Sequence, residues 1–185
     1  MARPAAWAMA AIALAGANGC KRPSRGRVAG FTPPPLAAGF VEQNGAGWRI
    51  AVPSTWTETA QKDAGVWSLA DPQTVDDFRA NVNVVTEHYT EDSFTYARAN
   101  EEALRHDPRA SVETVREDVV DGDATLVMET RWAPVPPSAV AYLTAQTALA
   151  SRGTGYVVTC SASAGGFERY RSTCEAILRS FAVER

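Results

Sequence analysis

The stretch Ser111-Val-Glu-Thr-Val-Arg-Glu-Asp-Val-Val120, Asp121-Gly122, Asp123-Ala-Thr-Leu-Val-Met-Glu-Thr-Arg-Trp132 decides the fold. Two runs rich in Val and Thr flank an Asp-Gly pair. A type I′ turn needs positive φ at both central residues, and Asp-Gly tolerates it, so the stretch predicts a β-hairpin. In the second run Ala124, Leu126, Met128 and Trp132 share one face, opposite Thr125, Glu129 and Arg131. That period of two belongs to a strand. The pattern returns downstream, where residues 139–151 and 154–163 flank Arg152-Gly153 and predict a second long hairpin. Alanine is frequent from Val140 to Ala150, so a helix competes there. The glycine turn into the next run favours a strand.

Working outward, Trp48, Ile50 and Val52 alternate with Arg49 and Ala51 until Pro53-Ser54. Residues 66–69 predict a short strand closed by Asp71-Pro72. In residues 81–88, Val82, Val84 and Thr86 face one way and Asn83, Val85 and Glu87 the other. A helix follows over 94–106, capped by Asp92 or Ser93 and stopped by Asp107-Pro108. Its apolar stripe is thin (Phe94, Ala97, Leu104, with Tyr96 beside it), which suits a helix lying on a sheet. At the end of the chain Phe167, Tyr170, Cys174, Ile177 and Phe181 step by three and four, opposite Glu168, Arg169, Glu175 and Arg179. That is an amphipathic helix. The order of elements predicts an α+β domain, an antiparallel sheet with flanking helices.

The start of the chain reads differently. Arg3 precedes an apolar run over 5–17, too short to span a bilayer but suited to a signal-peptide core. Small residues then converge on Cys20, and Ala15-Gly-Ala-Asn-Gly-Cys20 resembles a bacterial lipobox, with Ala17 where leucine is usual. Residues 1–19 are therefore read as a lipoprotein signal peptide and Cys20 as the lipidated N-terminus. The competing reading is a plain signal peptide with a chance cysteine. Residues 20–39 hold Pro23 and Pro33-Pro34-Pro35 and show no hydrophobic period. They predict a Pro-rich tether, a solvated spacer whose Lys21, Arg22, Arg25 and Arg27 are also placed to touch anionic head groups. The domain is residues 40–185. Net charge is −3, with charged residues 21% and apolar residues 45%. Nothing forms the basic stripe of a nucleic-acid binder, so no nucleic acid is expected.

Trp48-Arg-Ile-Ala-Val-Pro-Ser-Thr-Trp56 resembles the opening strand and Pro-x-x-Trp turn of the Mog1/PsbP-like superfamily, in particular the DcrB-like and LpqN-like bacterial lipoproteins. Residues 81–87 and the acidic helix after them resemble the next block of that superfamily. Tyr156-Val-Val-Thr-Cys160 and residues 167–181 resemble its closing strand and helix. The resemblance covers roughly 40–183, and its motifs are structural. It implies an α/β/α sandwich used as a binding scaffold, with no shared active site.

Chemistry-bearing residues are sparse. His88 and His106 lie far apart, without metal-ligand spacing or a neighbouring nucleophile, and read as surface histidines. Gly45-Ala-Gly47 and Gly153-Thr-Gly155 lack the rest of a phosphate loop and read as turns. Asp76-Asp77 reads as a solvated loop, Glu91-Asp92 as a helix cap and Glu101-Glu102 as an exposed helix face. No metal and no cofactor is expected. Trp48, Trp56, Trp67 and Trp132 are either core or the lining of an aromatic groove. Cys160 and Cys174 are an even pair in an exported domain. The strand from Cys160 to Gly165 climbs ~16 Å, and the helix from Gly166 to Cys174 descends ~12 Å. The two sulfurs can therefore meet as a disulfide; the alternative is two buried thiols.

These readings lead to a non-enzymatic lipoprotein held on the membrane of the bacterial cell envelope through Cys20. Its domain would bind an envelope protein, whose identity and the oligomeric state the sequence leaves open. A carrier or chaperone holding a hydrophobic ligand or peptide in an aromatic groove is the second reading. A hydrolase built around His88 is the third.

Overall fold

A computed structural model of the chain describes residues 27–59, 65–134 and 140–185. The predicted hairpins become β6 (Ala110–Val120) with β7 (Asp123–Trp132), and β8 (Tyr142–Ser151) with β9 (Thr154–Ser163). They form one side of a seven-stranded antiparallel sheet in the order β3-β4-β5-β9-β8-β7-β6. The other side is β3 (Thr57–Glu58), β4 (Val66–Val75) and β5 (Phe78–His88). A second sheet, ordered β1-β2-β10, joins β1 (Phe40–Gly45) and β2 (Trp48–Pro53) to β10 (Ala182–Val183). Two helices complete the α+β architecture: α1 (Ser93–His106) and α2 (Phe167–Ser180).

The Asp-Gly turn forms as predicted. Asp121 has φ 50° and Gly122 φ 82°, and Val120 pairs with Asp123. Arg152 and Gly153 repeat this geometry. A third such turn departs from expectation. Asp76 and Asp77, read as a solvated loop, both have positive φ and close β4 onto β5 through the Val75–Phe78 pair. Aspartate is among the few non-glycine residues that enter the left-handed region readily. The expected stop at Asp71-Pro72 is also corrected, because β4 continues to Val75. Its pairing with β5 shifts between Ala70 and Thr74, and β3 pairs no further than Ala70. Pro72 thus sits in an irregular edge stretch where no ladder N–H is required.

Register sorts the sheet into two faces. Val82, Cys160 and Ala145 lie in one cross-strand row, facing α2 and the small sheet. Ile50, Val52, Val158, Ile177 and Phe181 close this main core. The opposite face carries α1, whose Tyr96, Ala97 and Leu104 pack on Leu126, Met128 and Ala148. Asp92 caps α1, accepting from the Thr95 N–H at 3.0 Å. The cap satisfies an amide that the helix cannot.

Residues 27–39 have no regular structure and are mostly exposed. They are not wholly a solvated spacer, since the Val28 N–H donates to the Gly122 carbonyl at 2.7 Å.

Candidate functional site

Cys20 lies outside the described residues. Cys160 on β9 and Cys174 on α2 are joined by a disulfide, with their Cα atoms 5.4 Å apart. Ala164, Gly165 and Gly166 turn the chain so that α2 folds back over its own strand. Both cysteines are fully buried, so the bond is a staple between helix and sheet.

The histidines do not meet. His88 ends β5 beside Gly153, and the His106 ring nitrogen lies 2.7 Å from the Glu102 carbonyl at the other end of the sheet. Among the described residues no hydrogen bond joins His88 to a serine or carboxylate, and no group of three metal-ligating side chains forms. Asp76 accepts from the Ser163 hydroxyl at 3.0 Å. Glu101, expected on an exposed face, is buried beneath Arg98 and Arg105, at 2.6 and 2.9 Å. Burial opposes its charge, but hydrogen bonds from Arg105 and Arg98 outweigh that and hold the carboxyl below its ordinary value.

The tryptophans separate. Trp48 and Trp56 are core, and Trp67 meets Trp48 edge-on at 5.0 Å. Trp132 belongs to a column at the far end of the sheet. It stacks on Tyr142 at 6.0 Å, and Tyr142 stacks on Phe78 at 5.5 Å. Arg109 lies over the Trp132 ring at 5.9 Å, and Asp107 grips its guanidinium at 2.6 Å. Phe78 is buried at the base of the column, so only Trp132, Tyr142 and Arg109 reach solvent; aromatic residues and arginine are enriched at protein interfaces. The sequence reading missed this column. Its signal was an aromatic at each end of the link between the two hairpins.

Beside the column the sheet floor is polar. Trp132 Nε1 donates to Thr144 Oγ1 at 3.3 Å. The Thr130 and Ser161 hydroxyls and both amide atoms of Asn83 are buried without a partner. Leaving such groups unpaired costs about 1–3 kcal/mol each, and ordered water is their usual partner. At the near end a concavity of about 350 Å³ is lined by Glu42, Asn44, Trp48, Arg49, Asp121 and Glu184. It is polar and is not lined by Trp67 or Trp132.

Tyr96 donates to Glu87 in a short hydrogen bond, and Tyr89 packs on its ring at 4.3 Å. Burial first, then the hydrogen bond to Glu87, drives the Tyr96 hydroxyl far above its ordinary range. Burial, with the charges of Glu91, Asp92 and Glu87, pushes Tyr89 up to about 12. The unfolded chain loses both protons near pH ~10, while the folded chain keeps them. The contribution of these two tyrosines to stability is therefore complete below pH ~10 and falls above it, because the unfolded state binds fewer protons there. Urea midpoints measured at rising pH should show this fall, and Tyr96→Phe should flatten it. A midpoint constant from pH ~8 to ~11.5 would contradict the assignment.

No protein-family model and no curated protein sequence matches the chain. Solved structures match its fold. LpqN, involved in cell envelope biogenesis of Mycobacterium tuberculosis, superposes with TM-score 0.59 at 11% identity, over 79% of this chain and 90% of LpqN. Cyanobacterial PsbP (CyanoP) from Synechocystis sp. PCC 6803 gives 0.54 at 16% identity, over 80% and 94%. The Ran-binding protein Mog1p of Saccharomyces cerevisiae gives 0.53 at 10% identity, over 78% and 94%.

Proposed function

We propose that this chain, which has the Mog1/PsbP-like fold, is a non-enzymatic lipoprotein of the bacterial envelope whose domain binds a protein partner. The observation that carries the reading is the fold itself. Mog1p is a Ran-binding protein and LpqN is involved in cell envelope biogenesis. Among the described residues no helix is long and apolar enough to cross a membrane. Attachment is assigned, on the lipobox-like stretch that ends at Cys20, to acyl chains on that residue, each buried CH₂ of which contributes ~0.8 kcal/mol. Trp132, Tyr142 and Arg109, backed by the buried Phe78, are the surface assigned to the partner.

Cys20→Ala should move the protein from the membrane pellet to the soluble fraction; a variant that still sediments means that lipidation is not the anchor. Crosslinking of the wild-type protein in native membranes should trap a protein partner, and Trp132→Ala should weaken that crosslink. Equal crosslinking by the variant removes the column from the interface.

A further inference from the structure

The chain ahead of the domain contacts the hairpin turn at Asp121-Gly122. Besides the 2.7 Å bond from the Val28 N–H to the Gly122 carbonyl, Arg27 and Phe31 close over the turn. A Cβ at residue 122 would lie 2.8 Å from the Arg27 side chain and 3.3 Å from Phe31 Cβ. Glycine suits the positive φ of 82° at this position, and a larger residue would push the Arg27 side chain aside. The turn itself is held in place. Arg185 binds Asp121 at 2.9 Å and Asp123 at 3.2 Å, and the Ser93 hydroxyl donates to Asp123 at 2.8 Å. The tether therefore rests on a corner fixed by the C-terminus and the start of α1.

That corner is one end of the sheet. Register puts the Arg152-Gly153 turn and His88 at the same end. The opposite end carries the Asp76-Asp77 turn and, through the Trp132–Tyr142 pair, the aromatic column. The 11 residues of β6 separate the ends by ~36 Å.

We infer that the tether is a strap, not a free leash, and that it turns the Asp121-Gly122 end of the domain toward the lipid surface. The inference rests on the reading of Cys20 as the anchor. A free chain from Cys20 to Phe40 reaches ~70 Å, enough for either end to touch the bilayer. Pinned at Val28, the chain from Cys20 reaches only ~27 Å. That reach is shorter than the sheet, so an inverted pose with the column standing on the membrane is out of range. The column is left facing away from the lipid, open to a partner. In the sequence, Lys21, Arg22, Arg25 and Arg27 lie on the Cys20 side of Val28, a run of positive charge suited to anionic head groups.

The test uses the acylated chain in vesicles of mixed zwitterionic and anionic phospholipid. Hydrogen exchange should show the Val28 amide slowed at least about tenfold against a free chain. Glu91→Cys, near the strapped end, and Gln73→Cys, near the other, would each carry a donor dye, with an acceptor on the lipid head groups. Transfer should be stronger from residue 91. Val28→Pro, which removes the N–H donor, should bring the two transfers together. Free exchange at Val28, equal transfer from both sites, or an asymmetry unchanged by Val28→Pro would overturn the strap. An unacylated Cys20 in the mass of the mature protein would instead overturn the anchor, while protection at Val28 would stand.

Discussion

Trp48→Ala is expected to destabilise the domain by about 3–5 kcal/mol, the range for deleting a buried aromatic side chain. Trp48 opens β2 and is 4% exposed. Its ring meets Trp67 of β4 edge-on at 5.0 Å and Phe181, just beyond α2, at 6.1 Å. It also fills the space above Gly45, where a Cβ would come within 2.1 Å of the indole. One side chain thus joins the small sheet, the large sheet and the end of α2, and no single neighbour can move in to fill the hole. Urea unfolding followed by circular dichroism gives the difference directly. A loss under ~1 kcal/mol would place the ring outside the core. Trp132→Ala, at a half-buried position, is the matching control and should cost less.

Removing the disulfide with Cys160→Ala and Cys174→Ala together should cost about 3 kcal/mol. The bond closes a loop with a sequence separation of 14. In the chain-entropy view it acts mainly by restricting the unfolded chain, so the double variant should keep the native circular dichroism spectrum and lose urea midpoint. Complete burial of both cysteines should also make the native bond slow to reduce. Thiol labelling of the oxidised protein tests the premise. Two reactive thiols in denaturant without reductant would show that the bond is not formed.

The hairpins around Asp121-Gly122 and Arg152-Gly153 were legible because glycine marks a left-handed position in any sequence. The Asp76-Asp77 turn uses the same backbone without glycine, and aspartate pairs are common in ordinary loops. The extent of β4 was hidden by Pro72, which reads as a stop unless the strand is known to be an unpaired edge there. β1 gave no clear alternation, since Val41 is exposed and Gln43 half-buried. Its existence depends on β2 lying beside it. Glu101 looked like a solvent residue because two arginines cover it only once the helix has formed. At the candidate site, the cysteine pairing followed from strand and helix rise. The aromatic column did not, because Phe78 joins Trp132 and Tyr142 only through tertiary packing.

The outer side of β6 has one further implication. This strand ends the large sheet, and its second edge meets no described strand. The outward-facing N–H and C=O groups of such an edge would ordinarily template the addition of another chain. Copies crowded in two dimensions, as lipid attachment would hold them, would meet along such edges repeatedly. The register shift between Val112 and Thr114 spoils the regular spacing of donors and acceptors. Glu113, Arg116, Glu117 and Asp118 add charge that an incoming copy would have to bury or oppose. Both features oppose pairing with a second copy along this edge.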